Sequence, residues 1–263
     1  MEQQQMKEGK GVMMEGEQAV LPMDYDNYVF DLYGTLVDIH TDENEVGFWE
    51  KMALIYGYYD AHYTPQELKE AYGVLVKGKE AQLKMTLEGD PHYAHEASPE
   101  IEITEVFEGL FAQKGIAPDH TLCVHIGQFF RVMSTEYVRT YPGTADMLKA
   151  LKQAGKKVYL LSNAQRIFTE YEMHVLDIAQ YFDGILISSD YKTKKPDKRF
   201  FDILVETYGL DVDRSLFIGN DSKTDIAGAK TIGMDTFYVF SNISPENDMA
   251  DDANYIVKNF TCW

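Results

Sequence analysis

After residue 140 the chain alternates two hydrophobic rhythms. Short apolar runs stand at Val158 to Leu161, Gly184 to Ser188, Leu216 to Ile218 and Thr236 to Phe240. Between them lie segments whose apolar residues recur at helical spacing. Thr144 heads one, with Met147, Leu148 and Leu151 on one face and an end near Gly155. Ile167 to Leu176 reads as a second. Pro196 and Asp197 open a third, which turns Phe200, Phe201, Leu204 and Val205 inward and closes at Gly209. Asp225 to Lys230 is a fourth, ending at Gly233, and Tyr255 to Val257 adds a last strand. An earlier run, Tyr28 to Phe30, has the same strand character. Strands alternating with helices predict an α/β fold: a Rossmann-like, doubly wound parallel sheet covered on both faces.

Residues 42–138 break this rhythm and predict four helices with no strand. Glu45 to Tyr56 places Val46, Trp49, Met52, Ala53 and Tyr56 at helical spacing. Thr64-Pro65-Gln66-Glu67 is a capping-box start with proline in the first turn. Ser98-Pro99 is read as the next start, with Val106, Phe107, Leu110 and Phe111 inside, and Pro118-Asp119 as the fourth. Phe48, Trp49, Tyr56, Tyr58 and Tyr59 read as core. The segment Glu88 to Ser98, with His92 and His95, reads as a loop whose histidines are exposed. The expected organisation is a tail over 1–23, an α/β core over 24–41 and 139–263, and a helical insert over 42–138.

Composition narrows the function. The chain has 263 residues, 45% of them apolar, enough for a sizeable core. It carries 43 Asp and Glu against 24 Lys and Arg, a formal charge of −19. Such a surface repels nucleic acid and anionic membranes, so neither is expected as a partner. An anionic substrate would need local lysines or a metal ion to overcome that field. Cys123 and Cys262 fit no zinc ligand set and no disulfide framework, which predicts a reduced, cytoplasmic protein. No apolar run approaches the ~18 residues of a membrane span. The first 23 residues lack the apolar stretch of a signal peptide.

The candidate chemistry lies at predicted strand ends. Asp31 follows the first apolar run, and Leu32-Tyr33-Gly34-Thr35 turns the chain beside it. A carboxylate there, next to exposed backbone amides, is placed for nucleophilic attack. Ser162 and Asn163 end the Val158–Leu161 run. Lys195 precedes Pro196, and Gly219-Asn220-Asp221-Ser222-Lys223-Thr224-Asp225 follows Leu216 to Ile218. In doubly wound sheets ligands bind outside the carboxyl ends of strands, so these segments should converge.

These four ordered motifs, with the helical insert, resemble the haloacid dehalogenase-like hydrolase superfamily, in a form with an α-helical (C1-type) cap. The resemblance covers roughly residues 26–242. It implies Asp31 as nucleophile, Ser162 as hydrogen-bond donor to the transferred group, Lys195 as its charge partner, and acids of the last motif at a Mg²⁺ site. Asp31, the carbonyl of Tyr33, Asn220, Asp221 and Asp225 are the candidate metal set. Tyr33, Gly34, Thr35 and Asn163 are the candidate substrate contacts.

Two residues depart from the family pattern. Family phosphatases usually carry an aspartate two residues after the nucleophile, as general acid; here stands Tyr33, a phenol with an ordinary pKa of about 10. The dehalogenase branch carries tyrosine there. The last motif reads Gly-Asn-Asp where Gly-Asp is usual. Length from Asp225 puts Asn220 at the ligand position; the spacing of two acids four residues apart puts Asp221 there. Asp31, Asp221 and Asp225 in one site are hard to tolerate without a metal. The reading is therefore a magnesium-dependent phosphatase acting on a small phosphate ester through an aspartyl-phosphate. A metal-independent 2-haloacid dehalogenase is the alternative, and a non-catalytic binding or regulatory member the third. Specificity is expected in the cap and in the Asp38–Glu50 connection.

Overall fold

The computed structural model describes residues 12–14, 16–90 and 97–263. One sheet organises it. In chain order its strands are β1 (Val12–Met14), β2 (Asn27–Phe30), β5 (Lys157–Ser162), β6 (Gly184–Ile187), β7 (Ser215–Gly219), β8 (Asp235–Val239) and β9 (Tyr255–Val257). Their order across the sheet is β1-β9-β8-β7-β2-β5-β6, and every neighbouring pair is parallel. The expected α/β architecture is thus present. From β2 the chain builds outward through β5 and β6, then returns to place β7 on the other flank. The order of strands therefore reverses at β2, which is where such sheets open a ligand crevice.

The strands read as unbroken apolar runs because both faces are covered. On one face Tyr28, Phe30, Leu160, Leu216, Ile218 and Phe237 pack together, and on the other Val29, Leu161, Phe217, Phe200 and Phe201. The flanking helices are α5 (Thr144–Gln153), α6 (Arg166–Val175), α7 (Lys198–Tyr208) and the short α8 (Ala227–Lys230). Helix α7 begins where the Asp197 side chain accepts from the Arg199 amide and ends on left-handed Gly209.

The insert contains α1 (Phe48–Gly57), α2 (Pro65–Glu88), α3 (Thr104–Gln113) and α4 (His120–Ser134), packed around their own aromatic cluster. The Thr64–Glu67 capping box forms at α2 as expected. Several local expectations are corrected. Val46 is 94% exposed, because left-handed Gly47 delays α1 by a turn. Tyr58 and Tyr59 lie beyond the helix end and are exposed, whereas Phe48, Trp49 and Tyr56 are buried. Ser98-Pro99 starts no helix. That stretch is extended and bridges Thr193, with Lys194 N–H donating to the Ser98 carbonyl (3.0 Å). A two-stranded antiparallel ribbon, β3 (Val37–Thr41) with β4 (Thr135–Thr140), joins insert to sheet where no strand is expected from local pattern. His92 and His95 lie outside the described residues.

The tail expected over 1–23 is also corrected where it is described. Val12–Met14 pairs with Tyr255–Val257, and Ala19 and Leu21 are buried in the core. Edge strand β9 offers an open row of backbone groups to pair with, and the Pro22 carbonyl accepts from the Tyr28 hydroxyl (2.6 Å).

Hydrogen bonds seat the insert on the sheet domain. The Gln165 carboxamide accepts from Ile103 N–H (2.9 Å) and donates to the Ile101 carbonyl (2.8 Å). Glu100 accepts from the Ser188 hydroxyl (2.9 Å), and its own amide donates to the Lys192 carbonyl (3.2 Å).

Candidate active site

Asp31 sits at the carboxyl end of β2, its amide donating to the Ile218 carbonyl (2.9 Å). The following turn is closed by the Leu32 carbonyl, which accepts from Thr35, Leu36 and Val37, while Gly34 donates to Val37 (2.8 Å). The Tyr33 carbonyl takes none of these amides. Gly34 has φ +87°, and a Cβ there would lie 2.2 Å from Asn220 Nδ2. Only glycine gives both the left-handed turn and room for Asn220 against it.

Lys195 is 2% exposed, and its ammonium lies 2.7 Å from Asp31 Oδ1 and 2.7 Å from Asp225 Oδ1. Burial pushes the Lys195 ammonium down, but Asp225 and Asp31 outweigh it and hold its pKa above the usual lysine value. Burial lifts the Asp225 carboxyl to about 7 against the pull of Lys195, with a further push from Asp31. The Asp225 Oδ2 accepts from the amides of Asn220 (3.0 Å) and Asp221 (3.1 Å). Asp225 can reach them because Gly219 has no side chain; a Cβ there would meet Asp225 Oδ2 at 2.4 Å.

The other expected site residues divide into those at the cleft and those behind it. Ser162, fully buried, holds its hydroxyl 3.5 Å from Asp31 Oδ1, at the outer limit of a hydrogen bond. Asn163 clamps the Lys195 backbone: its Nδ2 donates to the Lys195 carbonyl (2.9 Å) and its Oδ1 accepts from Lys195 N–H (2.8 Å). The carboxamide expected to bind substrate is thus committed to positioning Lys195. Thr35 is buried beneath the turn, with Oγ1 3.5 Å from Asp31 Oδ2 and 3.4 Å from Asn220 Oδ1. It supports the carboxylate from behind.

Asn220 and Asp221 occupy different places at the cleft. A π turn over Ser222–Ile226 absorbs one extra residue between β7 and Asp225. Asn220 therefore lies against Gly34 and Thr35 beside Asp31. Asp221 caps the turn, with Oδ1 accepting from Lys223 (2.8 Å) and Thr224 (2.9 Å). Asp31, Tyr33, Asn220 and Asp221 all line a cleft of 260 Å³. Asp225 lines it too, but both its oxygens are engaged. The convergence of three carboxylates on one point is corrected: among the described residues no group of three or more His, Cys, Asp or Glu is arranged to hold a metal. The fit to a hard cation rests instead on oxygens of mixed type: Asp31 Oδ2, the Tyr33 carbonyl, Asn220 Oδ1 and the uncommitted oxygen of Asp221. That donor chemistry suits Mg²⁺.

Sequence reasoning missed the groups around Tyr33 and one wall of the cleft. The Tyr33 hydroxyl donates to Glu172 Oε2 (2.6 Å) and lies 3.1 Å from Thr169 Oγ1. Arg131, at the end of α4, forks onto Glu172 (2.6 and 3.1 Å). Burial, then Glu172, holds the phenol well above its usual range. The tyrosine hydroxyl therefore faces the insert's junction and stays protonated. The missed wall is Ile243 and Pro245, in the loop after β8. The rule that ligands sit beyond strand ends points to that loop; nothing in its residue types does. A larger groove of 640 Å³ runs between α4, β4 and α6 and includes Arg131 and Glu172, but neither Asp31 nor Lys195.

A family model for haloacid dehalogenase-like hydrolases matches residues 25–233. The chain is 26% identical over 211 residues to an (S)-2-haloacid dehalogenase of Pseudomonas putida, covering 80% of this chain and 84% of that one. It is 35% identical over 92 residues to a phosphoglycolate phosphatase of Agrobacterium fabrum, covering 35% of this chain; the match spans only 39% of that enzyme's length. The fold matches the crystal structure of a dehalogenase with an intermediate complex at TM-score 0.51, with 18% identity, 90% of this chain and 94% of that one. No helix among the described residues is long and apolar enough to cross a membrane. With the family match spanning most of its length, and Asp31, Lys195 and Asp225 brought together at the sheet's switch point, the chain belongs to the haloacid dehalogenase-like hydrolases.

Proposed function

We propose that the protein is a magnesium-dependent phosphatase of small phosphate esters, working through an aspartyl-phosphate on Asp31. The observation that carries this reading is the charge balance of the cleft. Among the described residues lining it, Asp31 and Asp221 face one ammonium, that of Lys195, which Asp225 already shares. A phosphate dianion brought to Asp31 meets about 4 kcal/mol of repulsion per unit charge pair at ~4 Å and an effective dielectric of ~20. Lys195 offsets part of this, held in place by Asp225 and Asn163. Asp31, the Tyr33 carbonyl, Asn220 and Asp221 would hold Mg²⁺, which supplies charge neutralisation at the phosphoryl oxygens.

In the first step a carboxylate oxygen of Asp31 bonds to phosphorus as the ester P–O bond breaks. Ser162 donates to a phosphoryl oxygen. The leaving oxygen takes its proton from water, because the Tyr33 hydroxyl is bonded to Glu172. Water then cleaves the aspartyl-phosphate at phosphorus, releasing phosphate and restoring the carboxylate. In this reading residues 24–41 and 139–263 are the catalytic core and 42–138 an α-helical cap of C1 type. The cysteines, both free, suit a cytoplasmic protein.

A second reading rests on Tyr33 and on the dehalogenase match, which spans most of both chains. In a 2-haloacid dehalogenase Asp31 would attack carbon, the carbon–halogen bond would break, and no leaving-group proton would be needed. The two share a covalent Asp31 but differ in what it carries. Acid quenching of the protein during turnover of propyl [³²P]phosphate with MgCl₂ tests the first. Label should remain on the denatured wild type and be absent from Asp31→Asn. Unlabelled wild type during active phosphate release would remove Asp31 as nucleophile.

A further inference from the structure

We infer that Ile243, in the core loop after β8, is a specificity-determining residue of this site, acting as a fixed apolar wall against the carbon portion of the substrate. The inference rests on the proposed hydrolysis of small esters. The sequence places selectivity in the helical insert and the Asp38–Glu50 connection, yet among the described residues none of 38–138 lines the cleft at Asp31. Its polar floor is Asp31, Asn163, Lys195 and Asn220, and its aliphatic side is Ile243 with Pro245.

The loop is built to hold that wall still. The Asp248 carboxylate accepts from the Ser222 amide (2.7 Å) and the Tyr238 hydroxyl (3.0 Å), and also bonds the Ser222 hydroxyl. This ties the loop's far end to the turn that carries Asp221. Ser244 Oγ accepts from Ser241 N–H (3.0 Å) and lies 3.4 Å from Asn220 Nδ2. Asn242 donates to Asp38 (2.9 Å) and accepts from the Tyr141 hydroxyl (2.6 Å). Polar anchors on both sides thus leave Ile243, half-buried, facing the reacting carboxylate's cleft. A rigid side chain there rejects bulk beyond it instead of yielding, because its neighbours cannot follow it. With Ile243 beside the reacting carboxylate, the cleft favours a short aliphatic ester over a bulky one.

The test is the ratio of kcat/KM for phenyl phosphate to that for propyl phosphate, measured with MgCl₂. Comparing this ratio between variants cancels the leaving-group difference. A missing methylene in such a wall is worth about 10-fold or more in discrimination. Ile243→Ala should raise the ratio at least ~10-fold, chiefly through KM, and Ile243→Val should raise it less. Val46→Ala, on the exposed surface of the insert, should leave it unchanged. A folded Ile243→Ala protein with a ratio unchanged from wild type would overturn the wall. Absence of any ester hydrolysis by wild type, with any divalent metal, would instead overturn the phosphatase reading. The wall is then read from chloride release, as the ratio for 2-chlorohexanoate over 2-chloropropionate: an increase in Ile243→Ala supports it, and no change overturns it.

Discussion

Replacing Lys195 by methionine removes one ammonium and leaves two carboxylates in its place. The side chain of Lys195 is 1% exposed, that of Asp225 2% and that of Asp31 11%, and both carboxylates lie 2.7 Å from the nitrogen. Water cannot replace the lost charge at such depth. Breaking a buried pair by removing one partner costs about 3–5 kcal/mol. For a protein of this size that lowers Tm by roughly 6–20 °C. Thermal unfolding in EDTA, so that no metal substitutes for the ammonium, measures it directly. Asp225→Asn placed on top of Lys195→Met removes one of the stranded charges. The double variant should therefore regain part of the lost stability, with a coupling of about 1 kcal/mol or more between the sites. Turnover of Lys195→Met should fall at least ~100-fold. If Lys195→Met unfolds within a degree or two of wild type, or if the two substitutions simply add, Asp31 and Asp225 do not share Lys195 as their counter-charge.

Tyr33→Phe should leave turnover within about threefold of wild type, because the hydroxyl bonds Glu172 and takes no part in proton transfer, while stability drops by about 1 kcal/mol in urea titration. Turnover slowed by about 100-fold or more would make Tyr33 a proton donor after all. Asp183 is pushed up by burial but pulled further down, to about 2, by Lys152, the Val158 amide and Lys157. Its folded pKa lies below the unfolded value of about 3.9, so its stabilisation is present above pH ~4 and lost as pH falls toward ~2. Screened by solvent, it is worth about 1 kcal/mol. Asp183→Asn should therefore cost that much at pH 7 and progressively less at pH 4 and 3, and a constant difference across this range would refute the assignment.

Much of this fold was legible because local signals and tertiary packing agree. Asp197 and Gly209 bracket α7 as capping chemistry requires, and Tyr255 to Val257 is a strand within its expected bounds. Legibility failed where distant partners decide. Ser98-Pro99 has the look of a helix start, but backbone bonds to residues 192–194 hold it extended. Strands β3 and β4 are separated by the whole insert, so neither carries a hairpin signal. In the site, the motif residues were readable from their places at strand ends. The register of Asn220 and Asp221 was not, since it depends on a π turn with no pattern of its own. Nor was the engagement of the Asn163 carboxamide by Lys195, or the wall at Ile243, since both join segments far apart in sequence.

The central claim is metal-assisted phosphoryl transfer at Asp31, and one paired rate measurement tests it most directly. Phosphate release from propyl phosphate and chloride release from 2-chloropropionate are followed on the same wild-type protein, in MgCl₂ and in EDTA. The account predicts phosphate release that needs magnesium and falls to background in EDTA, with no chloride released in either buffer. Chloride release that EDTA leaves unchanged, with no phosphate released under any metal, would contradict it and establish the dehalogenase reading.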